Sequence, residues 1–417
     1  MKNRFGTIVL AAVVAASVTL AGCSSGSTAS TPSTMPAKVI PAAAGLPDFY
    51  AVPDPMPEVA PGTIIKSQPV AVAGLDGTMS LVMYASTSVT GKPIPVTGVI
   101  IVPNGTAPEG GWPVITWAHG TTGLADACTP SLAPDEFVPL ANPLLAKGYL
   151  VVATDYEGLG VPGLHPYIVG DSEAYGTLDI VKAARVFPGA NASSRYLVWG
   201  HSQGGHAALF AGRDAQSYAP ELDLVGVVAG APPSQLLLIN AALQTSAYRQ
   251  YIAMAAAGIN AAYGDTAAPL DAVLNPEGLD FVTKIDTLCS SDLGKAAANL
   301  DFSKLRKADP ATVPEWRQLL VDNDPGAFTT PIPAPLLIIH GGNDEQIPTA
   351  SSALLFNQLC AIGQVAQRWV FPGESHAGVI LPSAPDMITW IGDRFAGQPM
   401  PDPVAPANAE KQSCGQS

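Results

Sequence analysis

Seven short apolar runs, each long enough for one buried strand, alternate with segments that carry helical periodicity, and this rhythm is the tightest constraint on the fold. The runs are Val99–Val102, Val114–Trp117, Tyr149–Thr154, Tyr196–Trp199, Leu224–Ala229, Leu336–Ile339 and Arg368–Phe371. The helical segments are Ala141–Gly148, Glu173–Phe187, Gly205–Gln216, Thr349–Ile362 and Ala384–Phe395. Strands that are continuously apolar and separated by helices belong in a mostly parallel, doubly wound sheet with helices on both faces. The rhythm fails between Pro232 and Pro331, where helical patterns such as Leu236–Gly264 occur without a convincing strand, so residues 232–331 read as an inserted helical cap. The α/β core is then split into residues 48–231 and 332–398, and the proline-rich stretch 399–417 is expected to form an extended tail.

One strand-to-helix junction carries chemistry. Gly200-His201-Ser202-Gln203-Gly204 follows the apolar run Tyr196–Trp199 and precedes a helix, which is the setting of a nucleophile elbow. The glycines let the chain turn sharply, leaving the Ser202 hydroxyl exposed at the corner. A Gly-x-Ser-x-Gly match arises by chance roughly 0.25 times in a chain with this much glycine and serine, so context must decide. Gly22-Cys23-Ser24-Ser25-Gly26 also fits the pattern, but it has no strand before it and no helix after it.

A serine hydroxyl needs a base to take its proton and a third group to orient that base. Leu336–Ile339 runs into His340-Gly-Gly-Asn-Asp344, and Arg368–Phe371 runs into Pro-Gly-Glu-Ser-His376. Loops at strand ends of a parallel sheet converge on one edge. Ser202, Asp344 and His376 therefore form the expected triad, in the order of an α/β-hydrolase, with Glu345 and Glu374 as alternative acids. Among the other histidines, His201 and His206 lie too close to Ser202 in sequence to turn back on it. His340 precedes the acid, and His165 is a loop rival. The spacing of His201 and His206 also fails the same-face requirement of a helical metal pair, and the chemistry needs no metal or cofactor. The oxyanion donors are expected from the backbone N–H of Gln203 and from His119-Gly120-Thr121-Thr122-Gly123, with Thr121 or Thr122 supplying the second amide.

The ends and the composition fix the setting. Lys2 and Arg4 precede an apolar run from about Thr7 to Leu20, too short for a stable membrane span, and Leu20-Ala21-Gly22-Cys23 reads as a lipobox. Residues 1–22 are then a signal, Cys23 is the acylated first residue of the mature chain, and residues 23–47 are a tether to the membrane. With 47% hydrophobic and 13% charged residues the remainder is globular. A net charge of −14 without a basic cluster argues against nucleic acid as a partner. Cys128, Cys289, Cys360 and Cys414 in an exported chain predict two disulfides, with three pairings open.

The chain resembles the secretory lipase family in Asp48-Phe-Tyr50, Pro61–Lys66, Cys128-Thr-Pro-Ser131, Asp155-Tyr-Glu-Gly158 and the Gly200–Gly204 elbow. The resemblance implies a serine lipase or esterase with a helical cap, carries the triad onto Ser202, Asp344 and His376, and suggests the pairs Cys128–Cys289 and Cys360–Cys414. His119-Gly120 looks like the oxyanion loop of bacterial esterases. The resulting expectation is hydrolysis of lipid or other acyl esters at the cell envelope. Acyl transfer by the same residues, peptide hydrolysis on the same fold and non-catalytic lipid binding are the alternatives.

Overall fold

The computed structural model describes residues 38–400, 406 and 408–415. The signal, Cys23 and the tether as far as Ala37 lie outside the described residues. Ten strands form one sheet: β1 (Ile64–Val70), β2 (Gly77–Thr87), β3 (Pro93–Pro103), β4 (Trp112–Ala118), β5 (Leu150–Thr154), β6 (Ala192–His201), β7 (Asp223–Gly230), β8 (Leu336–Gly341), β9 (Ala366–Phe371) and β10 (Glu410–Cys414). Their order is β10-β9-β8-β7-β6-β4-β5-β3-β2-β1. The six strands from β9 to β5 are parallel, and β10, β3, β2 and β1 are antiparallel to their neighbours.

The crossovers explain the layers. Helices α2 (Gly170–Val186), α3 (Gln203–Tyr218) and α10 (Thr349–Ala361) cover one face. They pack Leu178, Phe210 and Leu355 against Val114, Val198 and Ile338. Alternate residues of the same strands, Ile115, Leu197 and Leu337, point the other way and meet α1 (Val138–Leu145) and α11 (Ile380–Phe395) through Leu144 and Trp390. Both faces are buried, so the parallel strands are apolar throughout, as the sequence pattern requires.

Between β7 and β8 the chain leaves the sheet for six helices: α4 (Leu236–Leu243), α5 (Gln250–Ala267), α6 (Leu270–Val273), α7 (Pro276–Val282), α8 (Ser290–Ala297) and α9 (Pro314–Asp322). They enclose a core of their own, with Met254, Ile259, Phe281 and Trp316 at its centre. Disulfides join Cys128 to Cys289 and Cys360 to Cys414.

Two expectations are corrected at the ends of the chain. The tether is expected to run to residue 47, yet Lys38–Ile40 pairs antiparallel with Val52–Asp54, so these residues belong to a two-stranded sheet. The stretch 399–417 is not a tail throughout, because β10 adds to the sheet edge against β9 in the register Ala366↔Cys414 to Val370↔Glu410.

Candidate active site

The order in which successive strands are added reverses at β4, whose neighbours are β5 on one side and β6 on the other. In open α/β sheets the crevice beyond the strand ends at such a point is where ligands bind. The loops after β4, β6, β8 and β9 carry the candidate residues.

Ser202 sits between β6 and α3 with φ 60° and ψ −124°, a conformation that a non-glycine residue holds only when its surroundings impose it. Its amide donates to the Gly230 carbonyl at 2.8 Å, and its carbonyl accepts from the amides of Gly205 and His206. The elbow admits no side chain on either flank. A Cβ on Gly200 would lie 2.0 Å from the Gly204 carbonyl oxygen, and one on Gly204 would lie 1.9 Å from that of Ala118. The glycines thus allow close backbone approach between β4 and the first turn of α3.

His376 Nδ1 lies 2.7 Å from Asp344 Oδ2, and the buried Nε2 has no hydrogen-bond partner among the described residues. The His376 ring lies 4.8 Å, centroid to centroid, from that of His201, beside the elbow. Asp344 Oδ1 accepts the amides of Gln346 and Ile347, each at 2.8 Å. Burial opposes the charge on Asp344, but hydrogen bonds from His340 and His376 outweigh it and hold the carboxyl well below the usual range. Glu345 instead accepts the backbone N–H of His376 at 3.1 Å. Glu374 is not among the hydrogen-bond partners of the His376 ring.

The β4 loop closes on the same corner: a Cβ on Gly120 would lie 3.7 Å from the Ser202 Cβ. The Thr121 hydroxyl meets the Tyr167 hydroxyl at 2.9 Å, whereas the Thr122 hydroxyl is buried without a partner among the described residues. The loop is fastened to the cap by the Cys128–Cys289 disulfide, by a bridge between Gly123 and Cys289, and by the Ser290 amide on the Thr122 carbonyl at 2.8 Å.

Sequence reasoning missed the layer beneath. Gln203 is buried, and its Nε2 donates to Glu173 Oε1 at 2.9 Å and to His165 Nε2 at 2.7 Å. His165 Nδ1 faces the Glu157 carbonyl at 2.8 Å, and burial pushes the ring down to about 3, so it stays neutral and accepts from Gln203. His165, the rival candidate for the base, is therefore a partner of Gln203. Glu173 Oε2 lies 2.7 Å from His206 Nδ1, and His206 Nε2 lies 2.8 Å from the Asn323 carbonyl at the end of α9, which links the elbow helix to the cap. His340 was also passed over. Its Nε2 lies 3.1 Å from Asp344 Oδ2, making it a second histidine on that carboxylate. A histidine four residues ahead of a carboxylate at a strand end was the available signal.

The helical insertion holds a cavity walled by apolar residues such as Leu236, Ile239, Ile252, Ile259 and Trp316. Tyr167 and Ile347 also line it. They are hydrogen-bonded to candidate residues, the Tyr167 hydroxyl to that of Thr121 and the Ile347 amide to the Asp344 carboxylate.

The chain is similar over most of its length to proteins of known fold. Candida antarctica lipase A in its closed state superposes with a TM-score of 0.73 at 20% identity, over 83% of this chain and 84% of that one. The rice cell wall degrading esterase LipA from Xanthomonas oryzae gives 0.69 at 19% identity, over 82% of this chain and all of the other. Among sequence relatives, a probable inactive lipase of Mycobacterium tuberculosis is 27% identical over 85% of this chain and 83% of its own length. The secreted triacylglycerol lipase LIP4 of Malassezia globosa is 24% identical over 84% and 81%. The model of the secretory lipases matches residues 134–402, a span that contains the elbow, Asp344 and His376 and exceeds half of the chain. On that match the chain belongs to the secretory lipase family.

Proposed function

We propose that this protein is a serine carboxylic-ester hydrolase that cleaves acyl esters through an acyl-enzyme on Ser202. The observation that carries the reading is the His376–Asp344 hydrogen bond, which leaves Nε2 of His376 unpartnered beside the strained elbow. His376 takes the Ser202 proton as the oxygen attacks the ester carbonyl, and Asp344 stabilises the imidazolium. The Gln203 amide and an amide of Thr121 or Thr122 hold the tetrahedral oxyanion. As the intermediate collapses, the C–O bond to the alcohol breaks and His376 gives its proton to the leaving oxygen. Water then attacks the acyl-enzyme by the same route and releases the acid. The apolar cap cavity suits the hydrocarbon part of the acyl group.

The name of the Mycobacterium tuberculosis relative supports a second reading, a lipid-binding protein without turnover. A fluorophosphonate separates the two, because it labels only an activated serine. Labelling of the wild type, with loss of both labelling and p-nitrophenyl butyrate hydrolysis by at least 10⁴-fold or so in Ser202→Ala, is the expected result. An unlabelled wild type would favour binding alone.

The site of action we infer is the cell envelope, with the enzyme held by acylated Cys23. Cys23→Ser should move ester hydrolysis from the membrane fraction to the soluble one with the same specific activity. Retention in the membrane would sink the anchor assignment.

A further inference from the structure

We propose that Tyr167 and Ile168 make the oxyanion hole responsive to the acyl chain, so that chain length is expressed in kcat rather than in KM alone. The proposal rests on the ester-hydrolase reading above. Both residues are 5% exposed and wall the cap cavity. Each is hydrogen-bonded toward a different side of the oxyanion site. The Tyr167 hydroxyl holds that of Thr121, in the β4 loop. The Ile168 amide donates to Glu173 Oε1 at 3.0 Å, and the same oxygen accepts the Gln203 side chain at 2.9 Å. One short segment thus lines the cavity with its side chains and is bonded to the two residues that carry the oxyanion amides, directly to the Thr121 side chain and through Glu173 to that of Gln203.

The segment is held under strain. Ile168 has φ 58°, a left-handed conformation that a β-branched residue adopts only when the surroundings impose it, and the bond to Glu173 is one of those restraints. From the cap side α5 presses directly on the backbone, since a Cβ on Gly258 would lie 2.3 Å from the Tyr167 nitrogen. An acyl chain filling the cavity packs against the free side of Tyr167 and Ile168 and completes their confinement. A short acyl group leaves that side open. Binding energy gained remotely by a long chain is in this way spent on holding the oxyanion donors in their working positions, which raises turnover and not only affinity.

The test is a series of p-nitrophenyl esters from acetate to decanoate, with kcat and KM measured separately for the full chain, Tyr167→Phe and Glu173→Gln. The wild type should show kcat rising about tenfold or more with chain length. Both variants should flatten that rise while KM still falls as it does in the wild type. Tyr167→Phe removes one hydroxyl and keeps the ring, so it answers the question even if Glu173→Gln fails to fold. A variant that lowers kcat by the same factor on every ester, or a wild type whose chain-length preference lies only in KM, overturns the proposal. Absence of serine-dependent hydrolysis on every ester would instead overturn the parent reading.

Discussion

Asp344 is the most heavily bonded side chain of the catalytic corner, taking two histidine nitrogens and two amides. All four favour the anion, which in the proposed mechanism keeps the carboxylate charged opposite the imidazolium. Asp344→Asn retains the shape but puts an amide where a charge is needed. We expect a fall of about 10³ to 10⁴ in kcat on p-nitrophenyl butyrate. Glu345→Gln keeps an oxygen able to accept the His376 amide and should cost less than about tenfold, since Glu345 holds the backbone of His376 and the Tyr248 hydroxyl but not the imidazole. Steady-state kinetics on the two variants check the assignment, and the opposite ranking would make Glu345 the acid.

At the scale of elements, the cap is tied to the β4 loop by a covalent bond and by backbone pairing. Cys128 and Cys289 are separated by 161 residues, and closing so long a loop is worth about 5 kcal/mol in the chain-entropy model. The double variant Cys128→Ser, Cys289→Ser should therefore lose about 2 to 5 kcal/mol in urea unfolding. It should retain most of its kcat on a short ester, because the Gly123–Cys289 bridge and the Ser290–Thr122 hydrogen bond survive. An unchanged unfolding midpoint would show that the backbone contacts already do the work of the bond. The elements themselves were legible in unequal measure. β3 to β9 are apolar and separated mostly by helices, so their rhythm is written in the sequence. β1 and β2 form an antiparallel hairpin with no intervening helix, and β1 is half-exposed and contains Pro69. β10 reads Glu-Lys-Gln-Ser-Cys and is a strand only because β9 offers an open edge and Cys360 a partner.

For the whole molecule the buried polar groups set the response to acid. Burial pushes His119 down to about 4 and both His165 and His201 to about 3 from an ordinary 6.5, so below pH 6.5 the unfolded chain takes protons that the native state refuses. Their stabilisation is complete above pH 6.5 and is lost as the pH falls toward 4. Asp155 has the opposite sign. Burial outweighs its hydrogen bonds from Ser131 and Thr97 and raises it to about 6 from 3.8, so the native state binds its proton first and gains stability as the pH falls through that window. Three protons against one leave a net loss of about 2 to 3 kcal/mol per pH unit near pH 5 from these groups. Asp155→Asn removes the opposing contribution and should steepen the slope by about 1 kcal/mol per pH unit, whatever its offset at neutral pH. Urea unfolding between pH 4.5 and 6 measures it, and equal slopes would refute it. The same groups mark where legibility ended. The order Ser202, Asp344, His376 is visible along the chain because each residue follows its own strand. The Gln203–Glu173–His165 layer draws on separate loops and helices and has no linear signature.

The edge strand β10 also bears on how the protein is made. Among the ten strands of the sheet Glu410–Cys414 comes last in the chain, so during synthesis β9 presents an unpaired edge, of the kind that recruits other chains, until that strand has been made. Two bonds of different kinds then hold β10 in place, the ladder to β9 and the disulfide that joins Cys414 to Cys360. A strand so placed guards the sheet edge twice, once by filling its hydrogen bonds and once by a covalent bond that keeps the pairing from opening.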